Sequence, residues 1–262
     1  MFDEFFEAVL ADDAESRDAH FRLRFQVYCR ETGFERALDF PDGRERDELD
    51  ETAAAFLVRS RASGDWIATM RLVVGRVAEL PVAPFLDPFA RSCAETAGEI
   101  SRFCVSPRYR RRTSREIRVA RPAPVPESRL PRPESREVDS LLERPDPWIL
   151  IGLLRAARQY SEERSIERWF FLAADSMAAA VRMAGFSITE AGPESDHRGR
   201  RCAYRYDLDV AEEGLAQRSP NVAQMFSRRP AYRPASQEAV PSEDSRLCSP
   251  AVSPDCRTEA AP

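Results

Sequence analysis

The 262-residue chain contains no lysine, and all 39 of its basic residues are arginine. A lysine nucleophile or Schiff base is therefore excluded. Only two histidines occur, His20 and His197, and none of the six cysteines (29, 93, 104, 202, 248 and 256) belongs to a C-x2-C pair. A structural zinc site needs four N or S ligands at regular close spacing, so no metal is expected. The thiols read as small buried side chains of a reducing compartment. Glycine is sparse, at 10 residues. Neither G-x-G-x-x-G nor G-x-x-x-x-G-K-[ST] occurs, which excludes the common phosphate-cradling loops. The nucleophile elbow G-x-S-x-G is missing as well. No apolar run approaches the ~18 residues of a membrane helix. The acidic N-terminus lacks the basic region of a signal peptide, so the sequence reads as cytoplasmic with no integral membrane segment. A net charge of −5 makes a nucleic-acid partner unexpected.

What is present is a core-forming composition, 43% hydrophobic and 32% charged. Seven of the 20 prolines lie in 119–147 and seven more in 213–262. Both stretches lack apolar periodicity, which predicts a mobile Pro/Arg-rich insertion at 113–144 and a disordered tail at 213–262. The domain is then 1–212. Within it, 6–10 reads as a strand and 14–30 as a helix with Phe21, Phe25 and Tyr28 on one face. A long polar loop spans 31–52. Segments 54–60 and 65–74 flank Arg61-Ala62-Ser63-Gly64 as a hairpin. A further strand covers 98–105. Asp146-Pro147 opens a helix to about Glu163. Strand 168–173, a helix from Asp175 to Ala184 ended by Gly185, and strands 186–191 and 201–209 complete the pattern. The order predicts an α/β (α+β) fold with a mixed, mostly antiparallel central sheet and helices on both faces.

Several charges fall inside or beside apolar segments. Arg24 shares a helix face with Phe21 and Tyr28. Arg71 interrupts Ile-Ala-Thr-Met-Arg-Leu-Val-Val, and Glu99 and Arg102 flank Ile100-Ser101. Asp47 and Asp50 stand in the loop as D-E-L-D. Buried charges cost several kcal/mol unless paired. Three arginines and three acids are about what a charge-paired cluster needs, although each alone also fits a solvated strand edge or a structural ion pair.

The ordered set Arg24, Tyr28, Phe34, Asp47, Asp50, Arg71, Glu99 and Arg102 resembles the signature of acyl-homoserine-lactone (autoinducer) synthases. The local phrases are R-F-Q-V-Y-C-R-E-T-G-F, D-E-L-D, M-R-L-V and E-I-S-R-F-C-V. The chain resembles more fully the acyltransferases associated with the PEP-CTERM/exosortase system. Their E-x-S-R strand runs into an arginine triplet, here Arg110, Arg111 and Arg112, then a proline- and charge-rich insertion, a helix and a late G-x-R segment. His197-Arg198-Gly199-Arg200-Arg201 matches that last piece. The resemblance covers about 5–210. It implies the Gcn5-related N-acyltransferase (GNAT) fold and acyl transfer to an amine. Autoinducer synthases commonly carry Phe and Trp where this chain has Tyr28 and Phe34.

Acyl transfer from a thioester to an amine needs a strand to orient the thioester arm, donors for its phosphate and a route for the amine proton. Strand 98–105 is the expected arm-binding strand, through Phe103, Cys104 and Val105, with backbone amides as an oxyanion site. Glu99 is the expected general base, with Arg71 and Arg102 beside it; the bland alternative is that Glu99 only pairs with an arginine. Arg110, Arg111 and Arg112, with Arg108, suit a pantetheine phosphate or the acidic helix of an acyl carrier protein. The resemblance places Arg24, Tyr28, Phe34, Asp47 and Asp50 on the acceptor side. Phe34, Trp66, Trp148, Trp169 and Phe170 are acyl-pocket candidates, although core positions suit most of them. The expectation is an N-acyltransferase with no tightly bound cofactor, taking an acyl carrier protein or coenzyme A thioester as co-substrate and a small amine as acceptor. An autoinducer synthase using adenosylmethionine and a non-catalytic thioester-binding module are the alternatives.

Overall fold

A computed structural model describes residues 2–111 and 147–237. Arg112, the 113–144 insertion and the tail from 238 onward lie outside those residues. α1 (Phe2–Phe5) leads directly into β1 (Phe6–Leu10). Asp13 caps α2 (Ala14–Arg24) by accepting from the Ser16 backbone N–H at 2.8 Å, while the Ser16 hydroxyl oxygen accepts from the Asp13 N–H. That reciprocal pair satisfies two otherwise orphaned donors. The helix expected to run to 30 changes character at Phe25, where a π-helical turn covers Phe25–Glu31. The extra residue in such a turn rotates the side chains that follow. Tyr28 consequently faces the sheet, where its hydroxyl donates to the Phe103 carbonyl at 2.9 Å.

The remaining strands are β2 (Ala54–Ser60), β3 (Trp66–Arg76), β4 (Thr96–Val105), β5 (Arg168–Ala173), β6 (Thr189–Glu190), β7 (Ser195–Asp196), β8 (Arg200–Asp207) and β9 (Arg233–Pro234). They form one sheet in the order β6-β8-β5-β4-β3-β2-β1-β9, with β7 on β8. The β4–β5 and β1–β9 pairs are parallel and the others antiparallel. This is the mixed, mostly antiparallel sheet that the sequence predicts.

The helices that follow are α3 (Pro88–Arg91), α4 (Pro147–Glu162), α5 (Asp175–Met183), α6 (Leu208–Arg218) and α7 (Pro220–Phe226). One sheet face is covered by α4, whose Ile149, Leu153, Ala156 and Ala157 recur at helical spacing and bury against Phe56, Met70 and Leu72. A Cβ on Gly152 would lie 2.2 Å from the Phe2 ring, so α4 approaches α1 closely only because that residue is glycine. The other face carries α2, the 31–52 loop and short turns within 77–91.

Two expectations are corrected. Segment 186–191 pairs only at Thr189–Glu190, because Phe186 and Ile188 turn into the core. Residues 213–237, expected as disordered tail, instead complete α6, add α7 and close the sheet with β9. Leu215, Met225 and Phe226 bury in the main core, and Phe226 meets the Phe186 ring at 5.2 Å. A few isolated anchors supply enough apolar area for two short helices without producing a visible period.

The strands β4 and β5 pair only at Gly98↔Trp169 and Glu99↔Phe170, so they part immediately after Glu99. A Cβ on Gly98 would stand 2.7 Å from Leu72 and 3.0 Å from Trp169, so the joined end of the fork has no room for a side chain. Just past the fork, the β3–β4 register steps from Thr69↔Cys104 to Arg71↔Ser101, which inserts one extra residue into β4. Arg102 sits in that bulge with φ of 53°. A left-handed arginine costs roughly 1–3 kcal/mol and persists only where its surroundings hold it. Bulges bend and twist the strand that carries them.

Candidate active site

The bulge aims Arg102 into a dense charge network on the α2 face. Its Nε donates to Glu45 at 3.2 Å, and its Nη2 lies 3.3 Å from Asp47 and 3.5 Å from Glu35. Its guanidinium also stands 5.7 Å from the Tyr28 ring centroid. Arg71 projects from β3 beside Ser101, to which its Nε donates at 3.2 Å, and its Nη1 meets Asp47 at 2.5 Å and Asp50 at 3.0 Å. Arg24 binds Glu45 through Nε and Asp50 through Nη1 at 2.6 Å. Asp47 and Asp50 take up this geometry because they cap a 3-10 turn: the Asp50 carboxylate accepts from the Asp47 N–H at 2.8 Å.

His20 holds the far side of Arg24. Its Nδ1 is 2.5 Å from the Thr69 hydroxyl, which itself donates to the Phe56 carbonyl. That hydroxyl therefore accepts from an Nδ1–H, which leaves Nε2 to accept from Arg24 at 3.0 Å. Burial pushes the His20 pKa down to about 4, so the ring stays neutral near pH 7. Burial alone would raise Asp50, but Arg24 and Arg71 hold it well below the usual carboxylate range.

The structure thus brings together Arg24, Arg71, Arg102, Asp47 and Asp50, with Tyr28 and Phe34 as neighbouring rings 6.5 Å apart. Three placements bear on the sequence reading. Arg24 is fully buried, so it lines no acceptor surface and instead positions Glu45 and Asp50. Glu99 forms no ion pair with any arginine among the described residues; its Oε2 accepts from the Val82 backbone N–H at 2.6 Å. Arg110 pairs with Glu31 and donates to the Val105 carbonyl, so its charge is already matched. Beyond β4, Arg108 is exposed, 3.9 Å from Asp65, and Arg111 is exposed, whereas Arg112 lies outside the described residues. The Cys104 side chain is buried with Leu23 and Val27, and burial pushes its thiol up to about 12. Trp169 and Phe170 are core residues, and Trp66 and Trp148 pack at core edges.

Glu99 lies at the fork, on the sheet face that carries Val73 and Phe170. Burial in that apolar layer raises its carboxyl pKa to about 7, against opposing pulls from the Val82 N–H, Arg71 and Arg102. A carboxyl tuned near neutrality, beside an unpaired strand edge, has the properties of a proton acceptor. Sequence reasoning missed Glu45, Glu35 and His20 as partners of the arginines. The only signal for His20 was its place one turn before Arg24.

Tyr28→Phe removes the hydroxyl that ties the π-helical turn to β4. The expected result is a loss of about 1–2 kcal/mol, read as a lower urea midpoint at unchanged m-value. An unchanged midpoint would mean that this tie contributes nothing to the docking of α2.

Residues 23–119 match the family described as acetyltransferase (GNAT) domain. No curated protein sequence matches the chain. Among solved structures, the coenzyme A-dependent acyl-homoserine lactone synthase BjaI with MTA is similar at 16% identity and TM-score 0.55, covering 88% of this chain and 92% of that one. TofI, solved with an inhibitor and MTA, is similar at 18% identity and TM-score 0.53, covering 80% of this chain and 96% of that one. FeeM, an N-acyl amino acid synthase from uncultured soil microbes, is similar at 15% identity and TM-score 0.50, covering 81% of this chain and 97% of that one. At these identities the likeness is one of fold, and it agrees with the forked β4–β5 pair and the mixed sheet. The sequence match over 23–119 and the mixed sheet around it thus agree on a GNAT-type α/β fold.

Proposed function

We propose that this domain transfers an acyl group from an acyl carrier protein or coenzyme A thioester to the nitrogen of a small amine. The observation that carries the reading is Glu99, buried at the point where β4 and β5 part, with a carboxyl pKa of about 7. The unpaired edge of β4 beyond Glu99 offers backbone groups to a thioester arm, including an N–H for the carbonyl oxygen as it gains charge. Glu99 takes the amine proton, directly or through a water. The amide C–N bond forms, the thioester C–S bond breaks, and the departing sulfur leaves as a thiol. Arg71, Arg102 and Asp47 frame the acceptor side and hold it rigid. The donor's anionic end would lie beyond β4, toward Arg108 and Arg111. The motif order shared with PEP-CTERM/exosortase-associated acyltransferases favours that biological setting.

The test is thiol release from acyl coenzyme A and from acyl carrier protein, each with and without pooled amines. The expected outcome is amine-dependent release of one thiol per amide formed. Tight thioester binding without release would replace this reading with a non-catalytic module. The Arg24–Arg102 network in the order seen in autoinducer synthases supports a second reading, in which adenosylmethionine is the acceptor. That reading requires release of methylthioadenosine in step with the thiol.

A further inference from the structure

The segment that forms β7 and β8 carries arginines at 198, 200, 201 and 205. Arg198 reaches Glu35 at 2.6 Å, Arg200 reaches Asp175 at 3.1 Å and Glu194 at 3.2 Å, and Arg205 reaches Asp207 at 3.0 Å. Arg201 alone among these four has no carboxylate partner among the described residues, and its buried Nε has no hydrogen-bond partner. Desolvating a guanidinium without a partner is unfavourable, so natural proteins seldom leave one in place without a use.

The placement of Arg201 is specific. Along β8 it shares a face with Ala203, which packs in the apolar layer with Val73, Val82 and Phe170 around Glu99. Arg201 therefore projects from the same side of the sheet as Glu99 and Arg71. Its guanidinium stands 5.6 Å from the Phe34 ring centroid, and Phe34 stacks on Tyr28. Arg102 lies against the same Tyr28 ring, with Glu35, Glu45 and Asp47 around it. The two rings thus form a shelf with a saturated cation at its β4 end and an unsaturated one at its β8 end. Arg24, Arg71, Arg102 and Arg198 face Glu35, Glu45, Asp47 and Asp50, so the positive charge of Arg201 is the surplus of this corner.

We propose that Arg201 binds the carboxylate of the acyl acceptor, and that the acceptor is an amino acid, not a simple amine. This rests on the acyl-transfer reading given above. The carboxylate takes the bidentate guanidinium contact, the stem lies on the Tyr28–Phe34 shelf, and the amine turns toward the β4–β5 fork. The amine nitrogen then forms the amide bond as the thioester C–S bond breaks. Of the protons on the bound ammonium, one goes to solvent before attack, one passes through Glu99 to the thiolate, and one stays on the amide.

The experiment uses the full chain and matched acceptors: phenylalanine against phenethylamine, and leucine against isopentylamine. Binding is read by calorimetry without donor, and turnover by thiol release with acyl coenzyme A or acyl carrier protein. The carboxylated member of each pair is expected to be preferred about tenfold or more in kcat/KM, from the strength of a charge-assisted pair. Arg201→Gln should remove that preference by raising the acceptor KM, leave the donor KM within about twofold, and regain part of the preference as Arg201→Lys. Equal use of both members, or an Arg201→Gln effect on donor KM alone, overturns the assignment while leaving acyl transfer intact. Arg201-dependent amino-acid binding without thiol release keeps the assignment and overturns acyl transfer. Neither binding nor release overturns both.

Discussion

Glu99→Gln lowers the acyl-transfer rate about a thousandfold, the middle of the range for losing a positioned proton acceptor, while the protein stays folded. Glutamine keeps the shape of the side chain, and its carbonyl oxygen still accepts from the Val82 N–H that Glu99 now engages. Only the ability to take a proton is lost. In the unmodified enzyme the rate should climb with pH and level off around an apparent pKa of about 7, the value to which burial raises Glu99. That inflection should be missing from the residual activity of the variant.

Stability gives a second readout with a definite sign. Glu99 titrates near 4.5 when unfolded and near 7 when folded, so the native state holds the extra proton between those values. The stability it contributes is complete below pH 4.5 and fades as pH rises through 7, by on the order of 3 kcal/mol. The melting temperature of Glu99→Gln should therefore gain on that of the unmodified protein across this window and run parallel to it above. A variant that retains near-full activity would move the proton acceptor elsewhere. A stability difference independent of pH would mean that Glu99 is not held protonated by burial.

The site was legible in the sequence where a charge interrupts an apolar segment. Arg71 in the middle of β3, and Glu99 and Arg102 around Ile100-Ser101, stand out because a strand buried on one face has no other reason to carry them. Arg24 stands out for the same reason, although its full burial gives it a supporting part instead of an acceptor contact. Glu35 and Glu45 were not legible, since acids recur along the whole 31–52 loop and local pattern does not rank them. The pairing of Glu99 with the Val82 N–H is a long-range main-chain contact that no spacing rule encodes. The bulge at Arg102 left no mark either, because the sequence there has neither glycine nor asparagine to announce a positive φ. The two-residue strands β7 and β9 are too short for alternation to show, and α7 declares itself only by Pro220 at its first turn. Arg201 was visible as part of a motif; that it is the one unmatched cation there depends on which arginines find carboxylates in three dimensions.

Arg24→Met destabilises the protein by about 3–5 kcal/mol, the expected cost of removing one partner from a buried ion pair. At 2–4 °C per kcal/mol for a domain of this size, the melting temperature falls by roughly 10 °C. The size follows from what is left behind: Glu45 loses its Nε donor, Asp50 loses its 2.6 Å partner, and His20 loses the group its Nε2 accepts from. All three are buried, so water cannot replace the lost bonds without opening α2 from the sheet. Arg102→Ala should cost less, because Arg102 is partly solvated and the acids it leaves behind keep Arg24, Arg71 and Arg198. Adding Glu45→Gln to Arg24→Met removes a buried charge left, among the described residues, with Arg102 as its partner, and should recover a measurable part of the loss, which a packing defect alone would not do. Acid sharpens the comparison. Asp50 is depressed in the fold, so its contribution is present above pH 3.8 and is lost as pH falls through its lower native value. His20 is also depressed, to about 4, so protonation of the unfolded chain erodes stability as pH falls from 6.5 toward 4. Removing Arg24 relaxes the pull on Asp50, so the stability of Arg24→Met should fall less steeply below pH 3.8 than that of the unmodified protein. If its melting temperature is unchanged at pH 7, the network is not the anchor that holds α2, Arg71 and Asp47 in register with the fork.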